Sequence, residues 1–198
     1  MSAGFEALSF LLNTVIDLYV MVVALRFLMQ AVRADYYNPI AQFVVKASNP
    51  PLIPLRRVIP GLGGQDMAAL VLCLVLLILK LFLFQLLGLH SSVAGYGIPL
   101  GGASAVLIIY LAALDLLALF FNIFLFAIII QAIISWINPG SYNPVSGLLE
   151  NITAPLLNPV RRFVKPVAGL DLSPLVALII LQVVKILVIK TLLGVAPL

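Results

Sequence analysis

Four stretches of this chain, about residues 7–32, 68–89, 105–136 and 174–194, are almost wholly apolar. Each reaches the roughly 20 residues that a helix needs to cross a hydrocarbon core. Lipid offers backbone N–H and C=O groups no partner, so a spanning segment is either a helix or part of a closed barrel. A barrel needs polar residues alternating along each strand, and these runs lack them. With 64% of 198 residues hydrophobic and 9% charged, little chain remains for a soluble domain. The expected fold class is an all-α membrane protein with four transmembrane helices. The opening "MSAGFEALSF" has no basic region, and the apolar run after it outlasts that of a signal peptide, so the first span is expected to be retained.

The two halves repeat. An offset of 105 residues superposes Tyr37-Asn38-Pro39 on Tyr142-Asn143-Pro144, Arg56-Arg57 on Arg161-Arg162, Asp66 on Asp171 and Lys80 on Lys185, without a gap. Agreement at sparse polar positions is a stronger sign of duplication than matching leucines, which any two membrane helices share. The unit is helix, polar connector, helix, with the halves divided at about 1–95 and 96–198. Basic residues orient it. Arg33, Lys46, Arg56, Arg57, Arg161, Arg162 and Lys165 lie in or beside the connectors, while the chain ends and the central "HSSVAGYGIPLGGAS" contain no Lys or Arg. The excess of positive charge on cytoplasmic loops then puts both connectors in the cytoplasm and both termini outside. The repeats are therefore parallel, with an expected pseudo-two-fold axis along the membrane normal, unlike inverted-repeat transporters.

Each connector opens with a helix start, Asn38 or Asn143 as cap and Pro39 or Pro144 at the first helical position. Ile40, Phe43, Val44 and Ala47 follow at helical spacing, as do Val145, Leu148, Leu149 and Ile152, with Ser146, Glu150, Asn151 and Thr153 on other faces. This predicts short amphipathic helices over about 39–47 and 144–152, lying at the membrane surface. Pro50 and Pro54, matched by Pro155 and Pro159, are expected to end them and hold the chain extended up to the arginines. Ten residues beyond each pair's first arginine stand Asp66 and Asp171. Asp66 is a candidate cap for the second span and Asp171 its counterpart before the fourth, where Ser173 as cap with Pro174 at the first position is also offered, and Arg56–Asp66 and Arg161–Asp171 are candidate ion pairs. The arginines are read in two ways: as topology determinants that anchor on anionic lipid headgroups, or as a docking surface for a protein or specific lipid. The basic residues are few and lie at the membrane, which argues against nucleic acid.

Asn-Pro, an apolar stretch, "PLLNPVRR", a Gly turn and "DLSP" together resemble the signature of the YggT family, also called YlmG. The resemblance covers essentially the whole chain as two tandem copies of the family domain. The first half lacks the Ser-Pro after its aspartate, so its second helix is expected to start differently. The resemblance implies a small integral protein of the bacterial inner membrane, linked to osmotic stress tolerance, ion homeostasis and cell division, or in plastids to nucleoid partitioning and cytochrome maturation. It carries over no active site and no cofactor.

Charges within the spans need an account, because each costs about 2.5–3.5 kcal/mol at a helix centre on insertion scales. Counted by helical rise from the cytoplasmic ends, Asp17 and Lys80 reach similar depth and form a candidate pair. In the second half Asn122 replaces Asp17 and Lys185 is kept, while Asp115 lies two turns further outward. Lys185 then has two candidate partners, Asn122 and Asp115, and Lys190 is near enough to the outer face to snorkel. These residues read either as glue between helices or as a polar path for ions, whose two central lysines repel a cation. The favoured function is a non-enzymatic accessory or scaffold protein, the alternative a small ion channel or transport component.

Enzymatic chemistry finds no support. His90 and Cys73 are the single residues of their kinds, and no HExxH, GxSxG or GxxxxGKS occurs. Cys73 lies in an apolar run and reads as a buried small hydrophobe. His90 reads as interfacial, "GLGG" as a turn, and Trp136 with Tyr142 as an aromatic anchor. Partners are limited to anionic lipid, a membrane protein or further copies of the chain.

Overall fold

The computed structural model describes residues 3–89, 91–137, 144–164 and 171–196. His90, Tyr142, the expected cap Asn143 and Lys165 lie outside the described residues. The order is α1 (Ala3–Ala31), α2 (Pro39–Leu55), α3 (Met67–Leu86), β1 (Ser91–Val93), β2 (Tyr96–Ile98), α4 (Ala105–Ile137), α5 (Pro144–Phe163) and α6 (Ser173–Gly194). Helices α1, α3, α4 and α6 are long and apolar enough to span a membrane. The protein is a multi-pass membrane protein of two helix–connector–helix repeats.

Within each repeat the same pairs pack: α1 on α3 and α2, α4 on α6 and α5. The connectors lie together at one end of the bundle, where α2 packs on α5 and the Asn38 amide donates to the Pro144 carbonyl. Between repeats the packing is one-sided. Helix α3 lies along α4, but α6 has no comparable packing on α1, so the expected two-fold relation fails: the second repeat covers a face of the first, and the first does not cover the equivalent face of the second.

Asn38 caps α2 by accepting from the Ile40 N–H at 2.9 Å, with Pro39 at the first position. The prolines do not stop the helices. α2 runs through Pro50, Pro51 and Pro54, and α5 runs through Pro155 and Pro159 to include both arginines. Pro50 and Pro54, like Pro155 and Pro159, stand one turn apart on the exposed side. The carbonyls they deprive of an N–H partner therefore open outward, while the buried face keeps its contacts. That face is Ala41, Val44, Ser48 and Leu52 in α2 and Leu148, Ile152, Thr153 and Leu157 in α5. Phe43, expected in the apolar stripe, points outward instead. Thr153, expected on a polar face, is fully buried and bonded to Gln131 and to the Leu149 carbonyl. Its oxygen has those partners, so burial leaves nothing unsatisfied.

Asp66 caps α3, accepting from the Ala69 N–H at 3.4 Å, after a tight turn in which Gly63 and Gly64 both take left-handed backbone angles. Ser173 does not cap α6. The helix starts at Ser173, whose N–H donates to Asp171 Oδ1 at 2.9 Å, because the aspartate already stands two residues upstream with a free oxygen. The central segment folds as a hairpin, with Val93 paired to Tyr96 and a two-residue turn at Ala94 and Gly95. Both turn residues have positive φ, 55° and 89°, the pair of angles that matches strand twist in a tight hairpin. Val93 and Leu100 bury themselves against the bundle.

The main core joins α1, α3 and α4 beneath the hairpin, and a second joins α1, α2, α4 and α5 through Met29, Ala41, Val44, Ala127, Leu148 and Ile152. Ile152→Ala is expected to cost about 2–5 kcal/mol and to lower the midpoint of thermal unfolding in detergent, whereas Asn151→Ala, on the exposed face, leaves it unchanged.

Candidate functional site

Two groups of polar residues stand out, one at each end of the bundle. At the connector end each arginine pair divides. Arg56 pairs with Asp66, and Arg161 Nε donates to Asp171 Oδ2 at 3.0 Å. Arg57 and Arg162, one residue on, are exposed, and their side chains form no ion pair or hydrogen bond among the described residues. Each is followed by an exposed apolar side chain, Val58 at 79% and Phe163 at 87%. One arginine thus pairs with the aspartate that precedes the next span, and its neighbour is exposed beside a bare hydrophobe. Burial pushes the Asp171 carboxyl up, but hydrogen bonds from Ser173 and Arg161 outweigh it and leave the group below its ordinary 3.8.

The first spans are tied to their connectors at matching places. Arg26 is buried and its Nη1 donates to Asn49 Oδ1 at 3.2 Å. Gln131, at the equivalent position, meets Thr153. Arg26, Tyr36, Arg56 and Asp66 share the wall of a cavity of about 550 Å³.

Deeper in the bundle, Lys80 is buried and joins two carboxylates, its Nζ 2.7 Å from Asp17 Oδ1 and 2.8 Å from Asp115 Oδ2. Asp17 belongs to α1, Lys80 to α3 and Asp115 to α4, so a single ammonium binds both repeats. Asp115 therefore does not serve Lys185, whose Nζ instead donates to Asn122 Oδ1 at 2.6 Å. Lys190 is exposed. The other oxygen of Asp115 accepts the backbone N–H of Ala94 at 2.9 Å. That residue is a non-glycine in a left-handed conformation, and backbone held in a disfavoured region marks a contact that the surroundings enforce.

Above the triad lies a cavity of about 510 Å³ lined by Ser9, Asn13, Thr14, Asp17, Ser92 and Asp115 among others. The Asn13 side-chain oxygen Oδ1 is buried there without a partner among the described residues. Toward the connectors the cavity ends on Val20 and Leu77, and Val23, Ala24 and Cys73 are packed in the core beyond. With both carboxylates ionised the triad carries one net negative charge. It can bind helices together and hold a positive charge on the hairpin side, and Asn122, which also lines this cavity, lines the groove between α4 and α6 as well.

A family model described as CCB3/YggT matches the chain twice, over residues 5–87 and 110–192. The chain belongs to the CCB3/YggT family. An uncharacterized protein of Pseudomonas aeruginosa is 44% identical over 183 residues, covering 92% of this chain and 88% of its own length. One encoded in the proC 3′ region of Vibrio alginolyticus is 38% identical over 89% of this chain and 90% of its own length. The uncharacterized protein YggT of Escherichia coli K12 is 36% identical over 91% of this chain and 88% of its own. No solved structure matches. The two family matches each contain one connector and its arginine pair, so the connectors belong to the repeated domain, whereas the hairpin at Ser91–Ile98 falls between them.

The hairpin, its bond to Asp115 and the crossing of Asp115 to Lys80 were not legible in the sequence. The turn dipeptide Ala-Gly is a weak hairpin signal beside Asn-Gly, and depth along a helix says nothing about which neighbour an aspartate faces.

Lys80→Met strands two carboxylates and is expected to cost about 3–5 kcal/mol, read as a lower unfolding midpoint, and adding Asp17→Asn with Asp115→Asn recovers most of it. Lys185→Met costs less, since its partner is neutral. Because Asp171 titrates lower in the folded protein, its contribution is intact above pH 3.8 and is lost as pH falls through the depressed value. Asp171→Asn therefore flattens the acid limb of the stability–pH curve.

Proposed function

We propose that this protein is a non-enzymatic accessory or scaffold protein of a bacterial inner membrane, with both termini outside and the connectors forming a cytoplasmic platform that engages anionic lipid headgroups. One observation carries the reading: in both repeats a bound arginine is followed by an outward arginine and an exposed apolar residue, Arg57 with Val58 and Arg162 with Phe163. A cation beside a hydrophobe suits the boundary between headgroups and acyl chains, and each such cation contributes about 1 kcal/mol near an anionic surface. The charged triad then acts as a lock that keeps the repeats, and so the platform, in one arrangement. Family resemblance connects this role to osmotic stress tolerance, ion homeostasis or cell division.

A photoreactive residue in place of Phe163 is expected to capture anionic phospholipid in native membranes. Arg57→Gln with Arg162→Gln should cut that capture several-fold while topology reporters at both termini stay unchanged. Capture of a protein in place of lipid would turn the platform into a protein-docking surface, and capture of zwitterionic lipid in bulk proportion would remove the proposal's basis.

The cavity above the triad favours a second reading, a component of ion transport. Purified protein in liposomes would then leak K+ or anions faster than empty vesicles, and Lys80→Met with Lys185→Met would change the rate. Equal leak with and without protein ends this reading.

A further inference from the structure

The one-sided contact between repeats leaves two complementary surfaces bare. In the first repeat, α4 covers the face of α3 that carries Leu77, Lys80 and Leu81, all buried. The same positions of α6, 105 residues on, are Gln182, Lys185 and Ile186, of which the first and last are exposed and the lysine is half-buried. Gln182 lines an open groove of about 490 Å³ between α4 and α6, with Asn122, Phe126, Ile129, Ile179 and Val183 among others. The covering helix shows the converse. On α4, Leu111 and Ala112 are buried and Asp115 and Leu119 half-buried, while their equivalents on α1, Glu6, Ala7, Phe10 and Thr14, are all exposed, Phe10 and Thr14 while also lining the chain's own open cavity above the triad.

The polar residues on these two surfaces match. Leu77 and Leu119 line the same cavity inside the chain, and their equivalents are Gln182 and Thr14. A Gln amide turned toward lipid in the middle of a span lacks a hydrogen-bond partner, and membrane helices resolve this by packing against a polar side chain of another helix. Thr14 donates to the Phe10 carbonyl at 2.8 Å, which leaves its oxygen able to accept. A leucine–leucine contact within the chain would thus be replaced by an amide–hydroxyl contact between chains.

We propose that the groove between α4 and α6 receives α1 of a second copy of this chain, in the way that α4 sits on α1 and α3 within one copy, so that copies associate head to tail in the membrane with Gln182 facing Thr14 of the neighbour. The contact is heterologous, and it closes into a ring when the rotation per repeat permits. The first helix of a repeat is the occupant because that is the element seated on the equivalent surface inside the chain.

Disulfide trapping tests it in native membranes. In a Cys73→Ala background, differently tagged copies carrying Thr14→Cys and Gln182→Cys are co-expressed and oxidised. Cross-linked species containing one of each tag are expected, with neither variant linking to itself. Thr14→Cys with Ile186→Cys serves as a second pair in case the first perturbs insertion. Efficient linkage of Gln182→Cys to itself would put α6 against α6 and overturn the proposal, as would the lack of a mixed product from both pairs at normal expression. In vesicles, association of fluorescently labelled copies followed by energy transfer should weaken about three-fold for Gln182→Leu, and unchanged association would count against the contact.

Discussion

Inside a bilayer, apolar helices gain little from touching one another, because lipid tails are as apolar as leucine. What selects one arrangement of four greasy helices is therefore polar, and here it is the ammonium of Lys80 held between Asp17 and Asp115. Lys185 with Asn122, Arg26 with Asn49 and Gln131 with Thr153 join parts of one repeat, and the Asn38 amide reaches the Pro144 carbonyl of the other repeat only at the connector end. Lys80 alone among these carries charge partners from both repeats. Its position decides that α4 lies along α3, and the hairpin and the cavity beneath it follow.

The same constraint explains why the connectors are helical for longer than their prolines suggest. A proline removes one donor and crowds the preceding turn, a penalty that matters most where the orphaned carbonyl is buried. In α2 and α5 the paired prolines at 50 and 54, and at 155 and 159, face outward, where water or headgroups can meet those carbonyls. Leu52 and Leu157, fully buried on the other side, hold the last turns against the bundle. The helices therefore carry the arginines on rigid ends.

Much of this was legible in the residues. Length and composition located all four spans, since backbone satisfaction in lipid leaves helices as the option for such runs. The 105-residue offset, carried by Asn-Pro, Arg-Arg, Asp and Lys, gave the repeat, and the spacing of arginine and aspartate gave the two turn-closing pairs. The remainder depended on information that a one-dimensional pattern lacks. Periodicity selected Phe43 for an inward stripe, but a surface helix on a membrane has two apolar environments, protein and lipid, and hydrophobicity does not tell them apart. Ser173 and Asp171 both had the residue type of a cap, and it is Asp171 that meets the Ser173 N–H. Asp115 stood at a depth compatible with more than one lysine, and the packing of the repeats decided between them. The repeat also suggested a symmetry that the one-sided contact of α3 with α4 does not have.

The order of the triad along the chain has a consequence for how the protein is made. α1 precedes α3, so a carboxylate is already in the bilayer when the segment carrying Lys80 arrives, and the lysine need not enter lipid unescorted. Asp115 comes later and meets an ammonium that is already in place. Each charge after the first is thus inserted with its counterpart waiting, and the hairpin N–H of Ala94, which bonds the remaining oxygen of Asp115, can settle only after α4 has arrived. Insertion in chain order would thus leave only Asp17 to enter without a partner from the triad.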